Sequence, residues 1–206
     1  MQYYISASCI ISNKVVYKNG ARVFEDAGAD LPGFLLAAYR YFELQYPKFH
    51  KMDNLSKLGW LAAEILLQGS VIKDKYLPQQ MAVVLTNANS SLDTDIKYYE
   101  TAKDIASPAL FVYTLPNIVT GEICIRHGFK GENAFFITED FDAAFLEQYV
   151  SDLFNNNILQ LCLCGWVELL EEQYKTVLFL VEKDKTGLSM PFTKENLNKT
   201  YHLENG

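Results

Sequence analysis

The stretch GENAFFITEDFDAAFLEQYVSDLFNNNILQLCLCGWVELLEEQYKTVLFLVEK, residues 131–183, decides the fold of this chain. Its apolar run NAFFIT predicts a strand, and DFDAAFLEQYVSDLFNN predicts a helix with an acidic amino end that the helix dipole favours. The runs ILQLCLCGWVEL and YKTVLFLVEK predict two more strands, joined as a hairpin around LEEQ. This order of strand, helix, strand and strand indicates a sheet that is covered by helices.

Three carboxylates lie where the first of these strands leads into the helix. They are Glu139, Asp140 and Asp142. Enzymes often hold a nucleophile at such a junction, so the position raises the question of a catalytic role. In the simpler interpretation Glu139 lies between strand and helix, and Asp140 and Asp142 lie in the first helical turn, where carboxylates stabilise a helix start.

The segments before residue 131 add further strands and helices. YYISASCII and QMAVVLTNANSS predict strands, with a polar, glycine-containing loop after the first. Helices are predicted for LPGFLLAAYRYFELQYP (31–47), DNLSKLGWLAAEILLQGS (53–70) and LDTDIKYYETAKD (92–104). Residues 108–127 predict a buried helix that Pro116 and Gly121 bend or interrupt. The predicted fold class is α/β, with a five-stranded mixed, mainly parallel sheet, helices on both faces and an antiparallel last strand.

The bulk composition indicates a folded domain and argues against several partners. The chain has 206 residues, half of them hydrophobic, so one core is expected and global disorder is not. Its net charge is -7 and its Lys and Arg residues are scattered, which argues against nucleic acid and anionic membranes as partners. No apolar run approaches the roughly 20 residues that span a bilayer. The start of the chain lacks the pattern of a secretory signal, so the cytoplasm is the expected location.

The cysteines and acidic residues form no metal-binding pattern. Apolar stretches hold all four cysteines, which are Cys9, Cys124, Cys162 and Cys164. This setting predicts buried, reduced thiols, and the Cys-x-Cys pair has no second Cys or His pair nearby in sequence to complete a zinc site. Asp93 and Asp95 start a predicted helix and are interpreted as caps, not magnesium ligands. No nucleotide-binding motif is present, so the sequence predicts no cofactor and no metal.

Five segments, in matching order, resemble the amino-terminal half of the β-ketoacyl synthases. They are KMDNLSKLGWLAAEILL, MAVVLTNANSSLDTD, LPNIVTGEICIRHGFKG, NAFFIT and DLFNNNILQLCLCGWVELL, and they fall within residues 45–183. Met-Asp-x-x-Ser-Lys and the segment that starts with Pro-Asn-x-x-x-Gly are the most specific pieces. The resemblance implies a half domain of the thiolase fold, in which two related halves pack together. A synthase-like domain is predicted over residues 1–185. The residues after it turn polar and lose periodicity, which predicts a polar extension, ending in a loose tail, over residues 186–206.

The resemblance also implies where the synthase nucleophile belongs. Counted from Gly131 through Thr138, the position of the family's active cysteine falls on Asp140, which Glu139 and Asp142 flank. A carboxylate there cannot form the acyl-thioenzyme that condensation needs. The chain is therefore predicted to carry only a vestige of the nucleophile position and to be, more plausibly, no enzyme.

A second departure from the family concerns its carboxyl half, which carries two histidines, or His and Asn. The chain ends before that half would begin, so an apolar helical face is expected to need cover from the helix near residues 31–46, from the tail or from a second chain. The three histidines, His50, His127 and His202, offer no substitute and are predicted to be surface or loop residues.

In the family, the strand before the nucleophile pairs with its copy at a two-fold axis. Here that strand is Asn133, Ala134, Phe135, Phe136, Ile137 and Thr138. The resemblance therefore predicts a homodimer, or a heterodimer with a full-length ketosynthase. Family acyl channels lie near this axis, so Phe111, Leu115 and Ile118 are candidates to line one here, with packing in the core as the alternative role.

Three functions remain open from the sequence. The first is a non-catalytic ketosynthase-like domain, a dimerising or scaffold partner in fatty-acid or polyketide-like biosynthesis. The second is a module that binds an acyl chain or an acyl-carrier protein. The third is an enzyme of other chemistry that uses the acidic cluster 139–142 as general acid and base.

Overall fold

The strands of the chain form one sheet, with helices on both faces. The computed structural model describes residues 2–203. The strands are β1 (Tyr4–Ser12), β2 (Val15–Lys18), β3 (Ala21–Glu25), β4 (Met81–Asn87), β5 (Asn133–Ile137), β6 (Leu161–Leu170), β7 (Gln173–Glu182) and β8 (Met190–Pro191). The helices are α1 (Leu31–Tyr41), α2 (Asn54–Leu67), α3 (Ile72–Lys75), α4 (Leu92–Ala102), α5 (Pro108–Phe111), α6 (Ile118–His127), α7 (Ala143–Asn155) and α8 (Lys194–Tyr201), with 3₁₀ turns at Pro47–Lys51 and Pro78–Gln80.

The strand order across the sheet is β3-β2-β1-β7-β6-β4-β5, and β8 pairs with β1. Strand β4 is parallel to both of its neighbours, β5 and β6. All other pairs within residues 2–203 are antiparallel. The predicted mixed α/β sheet with helices is confirmed, but the prediction of five mainly parallel strands is wrong, because the sheet has eight strands and most pairs are antiparallel.

The additional strands β2 and β3 come from the segment that was interpreted as a polar loop. Two tight turns fold it into a ribbon beside β1. The first turn has Asn13 and Lys14 at φ 50° and 61°, and the second has Asn19 and Gly20 at φ 54° and 81°. Two successive positive φ angles match the two-residue hairpin turns that follow the twist of paired strands. The ribbon places β3 at one edge of the sheet and leaves β5 at the other.

The core has two layers, one on each side of the sheet. Strand β4 is buried along its whole length, as expected for a strand with helices on both faces. The first layer packs α1, α2 and α6 against the sheet, and the second packs α7 and α8 against the opposite face. Alternation divides β6 between the layers, with Leu161 and Leu163 in the first and Cys162 and Cys164 in the second.

The cysteine prediction is confirmed for three residues. Cys9, Cys162 and Cys164 are free and buried, whereas Cys124 is only partly buried. Within residues 2–203 no group of His, Cys, Asp or Glu is placed to hold a metal ion. Asp93 and Asp95 lie in the first turn of α4, but the interpretation as caps is wrong: the N-cap residue is Ser91, and Asp93 accepts from the Glu171 N–H and pairs with Lys97. No helix of the described part of the chain is long and apolar enough to cross a bilayer.

The predicted buried helix over 108–127 is two helices. Helix α5 ends at Phe111 and α6 begins at Ile118, so the break lies around Pro116, as expected for a residue that cannot donate a helical hydrogen bond. Helix α6 continues through Gly121, so this glycine does not interrupt the helix. The first part is also exposed rather than buried, since Phe111 is 60% exposed.

The residues after 185 are not a loose tail, as far as the structure describes them. Strand β8 pairs with β1, and Phe192 and Leu197 are buried in the second core layer. Thr193 caps α8 by accepting from the Asn196 N–H. The prediction of a loose tail over 186–203 is therefore wrong, because two apolar side chains anchor a polar helix; residues 204–206 lie outside the described part. The domain boundary at residue 185 stays a prediction.

Candidate functional site

The acidic trio lies at the carboxyl end of β5, where the chain turns into α7. Thr138 extends the pairing with β4, since its N–H donates to the Asn87 carbonyl at 2.9 Å. Its Oγ1 donates to the carbonyl of Asp140 at 2.8 Å. The side chain of Asp142 accepts from the Phe145 N–H at 2.9 Å and so caps α7. Asp140 therefore lies in the turn between strand and helix.

The trio does not form an acid–base pair. Glu139, Asp140 and Asp142 are all exposed. Helix α7 begins at Ala143, so the placement of Asp140 and Asp142 in its first turn is wrong, although the capping role is confirmed for Asp142. General acid–base work by two carboxyls requires a different environment for each of them, and these three side chains share one solvated turn.

Aromatic side chains pack against the turn between β5 and α7. The Phe141 ring stacks on Tyr201 of α8, with centroids 4.3 Å apart and planes 3° apart. It also meets the Trp166 ring edge-on at 6.2 Å. The Lys175 ammonium lies 4.3 Å from the Tyr201 centroid. The last helix thus lies against the turn that holds Asp140, while the carboxylates point to solvent.

Glu168, in the largely buried strand β6, holds the loop after β4, and the sequence analysis did not single it out. Glu168 of β6 accepts from the Ala88 N–H at 2.6 Å and from the Asn89 N–H at 3.2 Å. The Asn89 amide donates to its other oxygen at 3.0 Å. Glu168 also lines a cavity of about 240 Å³ beside Trp166 and Tyr201. Its oxygens are engaged by the loop after β4, so its role is to position that loop. A glutamate inside the apolar run LCLCGWVEL was the available signal.

Two of the three predicted channel residues lie on the surface of the described part of the chain. Phe111 and Leu115 are 60% and 58% exposed, and Val112 between them is 50% exposed. Ile118, at the start of α6, is half-buried against the first core layer. Phe111 and Leu115 therefore form part of an exposed apolar surface in the segment before α6, and a role of the three residues in an acyl channel stays a prediction.

A buried ion cluster joins α2 to the end of α6. Arg126 donates from Nε to Glu64 Oε1 at 2.7 Å and from Nη2 to Oε2 at 3.1 Å. His127 Nε2 lies 3.1 Å from Oε1, without a well-aligned hydrogen bond. The guanidinium stacks over the rings of Tyr46 and Trp60. Burial raises the pKa of Glu64, but the contacts with His127 and Arg126 outweigh it and hold the pKa below its ordinary value.

The structure corrects one of the three histidine predictions and agrees with the other two. His127 is buried against Glu64 and is not a surface or loop residue, because the carboxylate compensates its burial. His50 and His202 are exposed, as predicted. Glu64 and His127 also line a cavity of about 390 Å³ on the side of the molecule near α3. Both belong to a structural network that the sequence did not reveal.

Strand β5 forms one edge of the sheet. Among residues 2–203 its one partner is β4, in parallel register from Asn133 to Ile137. The Glu132 carbonyl accepts from the Val83 N–H, and the Thr138 N–H donates to Asn87. Backbone groups of successive strand residues point to opposite sides, so the even-numbered residues face β4. The N–H and C=O groups of Asn133, Phe135 and Ile137 therefore face the open edge.

Comparison with known proteins finds this architecture among solved structures. The ishigamide ketosynthase/chain length factor superposes with a TM-score of 0.63 at 16% identity, over 88% of this chain and 62% of that one. A type II PKS acyl-carrier protein in complex with its ketosynthase gives 0.60 at 14%, over 88% and 62%. A ketosynthase in complex with its chain length factor from Xenorhabdus doucetiae gives 0.54 at 12%, over 89% and 80%. This chain has the ketosynthase fold.

The comparisons establish the fold and no more. No protein-family model matches the sequence, and neither does any curated protein. The chain spans 62% of the length of the first two structures. The thiolase-like architecture that the sequence resemblance implied is confirmed at the level of the sheet and its helices.

Proposed function

We propose that this chain is a non-catalytic ketosynthase-like subunit that pairs, through the open edge of β5, with a second ketosynthase-like chain in fatty-acid or polyketide-like biosynthesis. The observation that carries the proposal is the unpaired edge of a short apolar strand at the end of the sheet. An exposed strand edge invites a partner strand, and a protein that is not to aggregate covers it. Structures with the same fold include a ketosynthase in complex with its chain length factor.

The surroundings of β5 favour an interface. The Phe135 side chain packs into the first core layer and Phe136 into the second, so both layers reach this edge. Ile137 is 51% exposed at its end. Helix α6 lies over the strand, since Thr120 Oγ1 donates to the Asn133 side chain at 2.8 Å. The exposed side chains of Phe111, Val112 and Leu115 lie in the segment before that helix, and apolar surface beside an open edge is typical of an interface.

The chemistry at the turn between β5 and α7, where Asp140 lies, supports a non-catalytic role. An acyl group transferred to Asp140 would form an anhydride with the carboxylate, not the thioester that a condensing enzyme uses. Three of the four cysteines are poor substitutes, because burial raises the pKa of Cys9 to about 12 and that of Cys124 to about 11, and it also raises the pKa of Cys162; Cys164 is buried. Thiols with such pKa values carry almost no thiolate near neutral pH.

Substitution of Ile137 tests the interface. Wild type is expected to dimerise in the micromolar range, and Ile137→Lys should raise the dimer Kd by at least about tenfold, since a lysine would be buried without a partner. Ile137→Pro should act similarly, because it removes an N–H that faces the open edge while the pairing with β4 persists. Sedimentation velocity over a concentration series measures both effects.

Ile158→Lys is the matched control for that experiment. Ile158 has a comparable exposure of 48% and lies in the loop before β6, which β4 separates from β5 in the sheet. It should leave the dimer Kd unchanged, and circular dichroism should show all variants folded. A wild type that stays monomeric throughout the micromolar range, or a dimer that Ile137→Lys leaves intact, contradicts the proposed function.

Covalent labelling tests the absence of the nucleophile. When wild type is incubated at neutral pH with an acyl-carrier thioester, intact-mass spectrometry should find no acyl adduct on the chain. Asp140→Cys places a thiol in an exposed turn at a helix start, so iodoacetamide should label it at least about tenfold faster than any native cysteine. Native mass spectra of the same mixture report whether the carrier protein binds. Acylation of Cys9, Cys124, Cys162 or Cys164 in wild type would overturn the non-catalytic assignment.

A further inference from the structure

The charges at the two ends of β5 differ, and the difference bears on which chain fits its edge. Three exposed carboxylates follow the strand at positions 139, 140 and 142. Before the strand lie Lys130, which is exposed, and Glu132, which is half-buried. The carboxyl end of the edge thus carries three negative charges, and the amino end carries one charge of each sign.

Pairing geometry determines which of these ends meet. A closed two-fold dimer joins equivalent strands antiparallel, because a parallel pair of equivalent edges does not close. The edge-facing residues are Asn133, Phe135 and Ile137, and all three find partners only when the two strands are centred on Phe135. In that register the segment that precedes the partner's strand lies beside the carboxylates that follow β5. The amino end of each strand therefore meets the carboxyl end of the other.

This chain is a poor electrostatic match for itself. Two copies would place one lysine and one glutamate against three carboxylates at each of the two junctions. Both copies also carry a net charge of -7. Like charges placed side by side oppose association, and opposite charges set the choice and orientation of a partner.

We infer that the β5 edge is suited to a different chain. That partner has an open edge strand that pairs antiparallel with β5, and two or more lysine or arginine residues precede this strand. This inference rests on the proposed function, which supplies the edge as an interface. It adds that the partner's charge, and not the strand edge alone, decides between a heterodimer and the weaker homodimer.

Glu132→Lys converts this chain into a mimic of that partner. The variant presents Lys130 and a second lysine to the three carboxylates at both junctions of its own dimer. Each of the two junctions gains an exposed ion pair, so the homodimer Kd should fall by about twofold to thirtyfold at low salt. The homodimer Kd of Glu132→Gln should lie between those of Glu132→Lys and wild type. Raising the salt concentration from about 0.05 M to about 0.5 M should narrow the difference, because exposed charges are screened.

Glu43→Lys separates the local effect from a change in net charge. Glu43 is exposed and follows Phe42, whose ring lies 6.2 Å from that of Phe24 on β3, at the opposite edge of the sheet. Glu43→Lys changes the net charge by the same amount as Glu132→Lys and should leave the homodimer Kd within about twofold of wild type. A Kd that Glu132→Lys leaves unchanged or raises, or that Glu43→Lys lowers equally, overturns the inference. A wild type without any dimer instead contradicts the proposed function.

Discussion

Gly165→Ala should leave little or no folded protein. Gly165 lies in the middle of β6, between β4 and β7, and has φ 149°, a region that residues with a side chain rarely adopt. A Cβ built there would lie 2.0 Å from the Val177 carbonyl oxygen and 3.0 Å from the Leu178 Cα. Both are backbone atoms of the paired strand, so relief of the clash would separate β6 from β7. We expect a loss of more than about 4 kcal/mol, a large part of the stability of an ordinary domain.

Urea unfolding followed by circular dichroism measures this effect, and Gly121→Ala is its matched control. Gly121 lies within α6, and nothing lies within 4 Å of the Cβ that it would gain. The same change there should stabilise the protein by about 0.5–1 kcal/mol, because alanine is the better helix former. If Gly165→Ala unfolded at the same urea concentration as wild type, the backbone described for β6 would be wrong.

The elements that the sequence predicted well are those whose pattern is long and regular. The clearest amphipathic segment, 53–70, contains α2, and the segment with the acidic start contains α7. The β6–β7 hairpin lies where two apolar runs flank a short polar turn. In these segments the packing against the sheet and the local pattern favour the same structure, so periodicity alone was sufficient.

The elements that the sequence missed are short and polar, and tertiary contacts hold them. Strands β2 and β3 carry Lys and Arg and are half-exposed, so composition pointed to a loop, although Asn19 and Gly20 were a hairpin signal. Helix α8 has few apolar residues, and the burial of Leu197 against α7 could not be read from its composition. Composition predicts such segments poorly because a single buried side chain can fix them.

The candidate site divides in the same way. The family resemblance put Asp140 at the junction of strand and helix, where it lies, whereas the local pattern put it wrongly in the first turn of α7. The pairing of Glu64 with Arg126 joins residues 62 positions apart, and no local pattern reports such a contact. Position along the chain was therefore predictable from sequence, whereas the partner of a buried charge was not.

Glu64→Ala should destabilise the chain by about 2–4 kcal/mol. The substitution leaves the Arg126 guanidinium, whose side chain is 32% exposed, and the buried His127 without their carboxylate. Removal of one partner of a buried pair costs more than the pair contributes, because the other charge stays desolvated; partial exposure of Arg126 reduces that cost. Glu25→Ala, which breaks the exposed Arg22–Glu25 pair of 2.8 Å, should cost less than about 0.5 kcal/mol and serves as control.

The double variant Glu64→Met/Arg126→Met separates the unpaired charge from lost packing. If the unpaired charge is the cause, the double variant should recover much of the stability lost in Glu64→Ala, since apolar replacement of a buried pair is often nearly neutral. Recovery of nothing would assign the loss to packing of α2 against α6. Chemical unfolding of the four proteins at neutral pH gives the required free energies.

The pH dependence of the Glu64 variants follows from the lowered pKa of this carboxyl. A carboxyl whose pKa is lower in the folded than in the unfolded chain stabilises the fold above the unfolded value, about 4.3, and that contribution is lost as the pH falls through the folded value. The difference in unfolding free energy between wild type and Glu64→Gln should therefore be largest at neutral pH and shrink below about pH 4. A difference that grew on acidification would mean that Glu64 is protonated in the folded chain, and the cluster would then be a hydrogen-bonded network without a carboxylate.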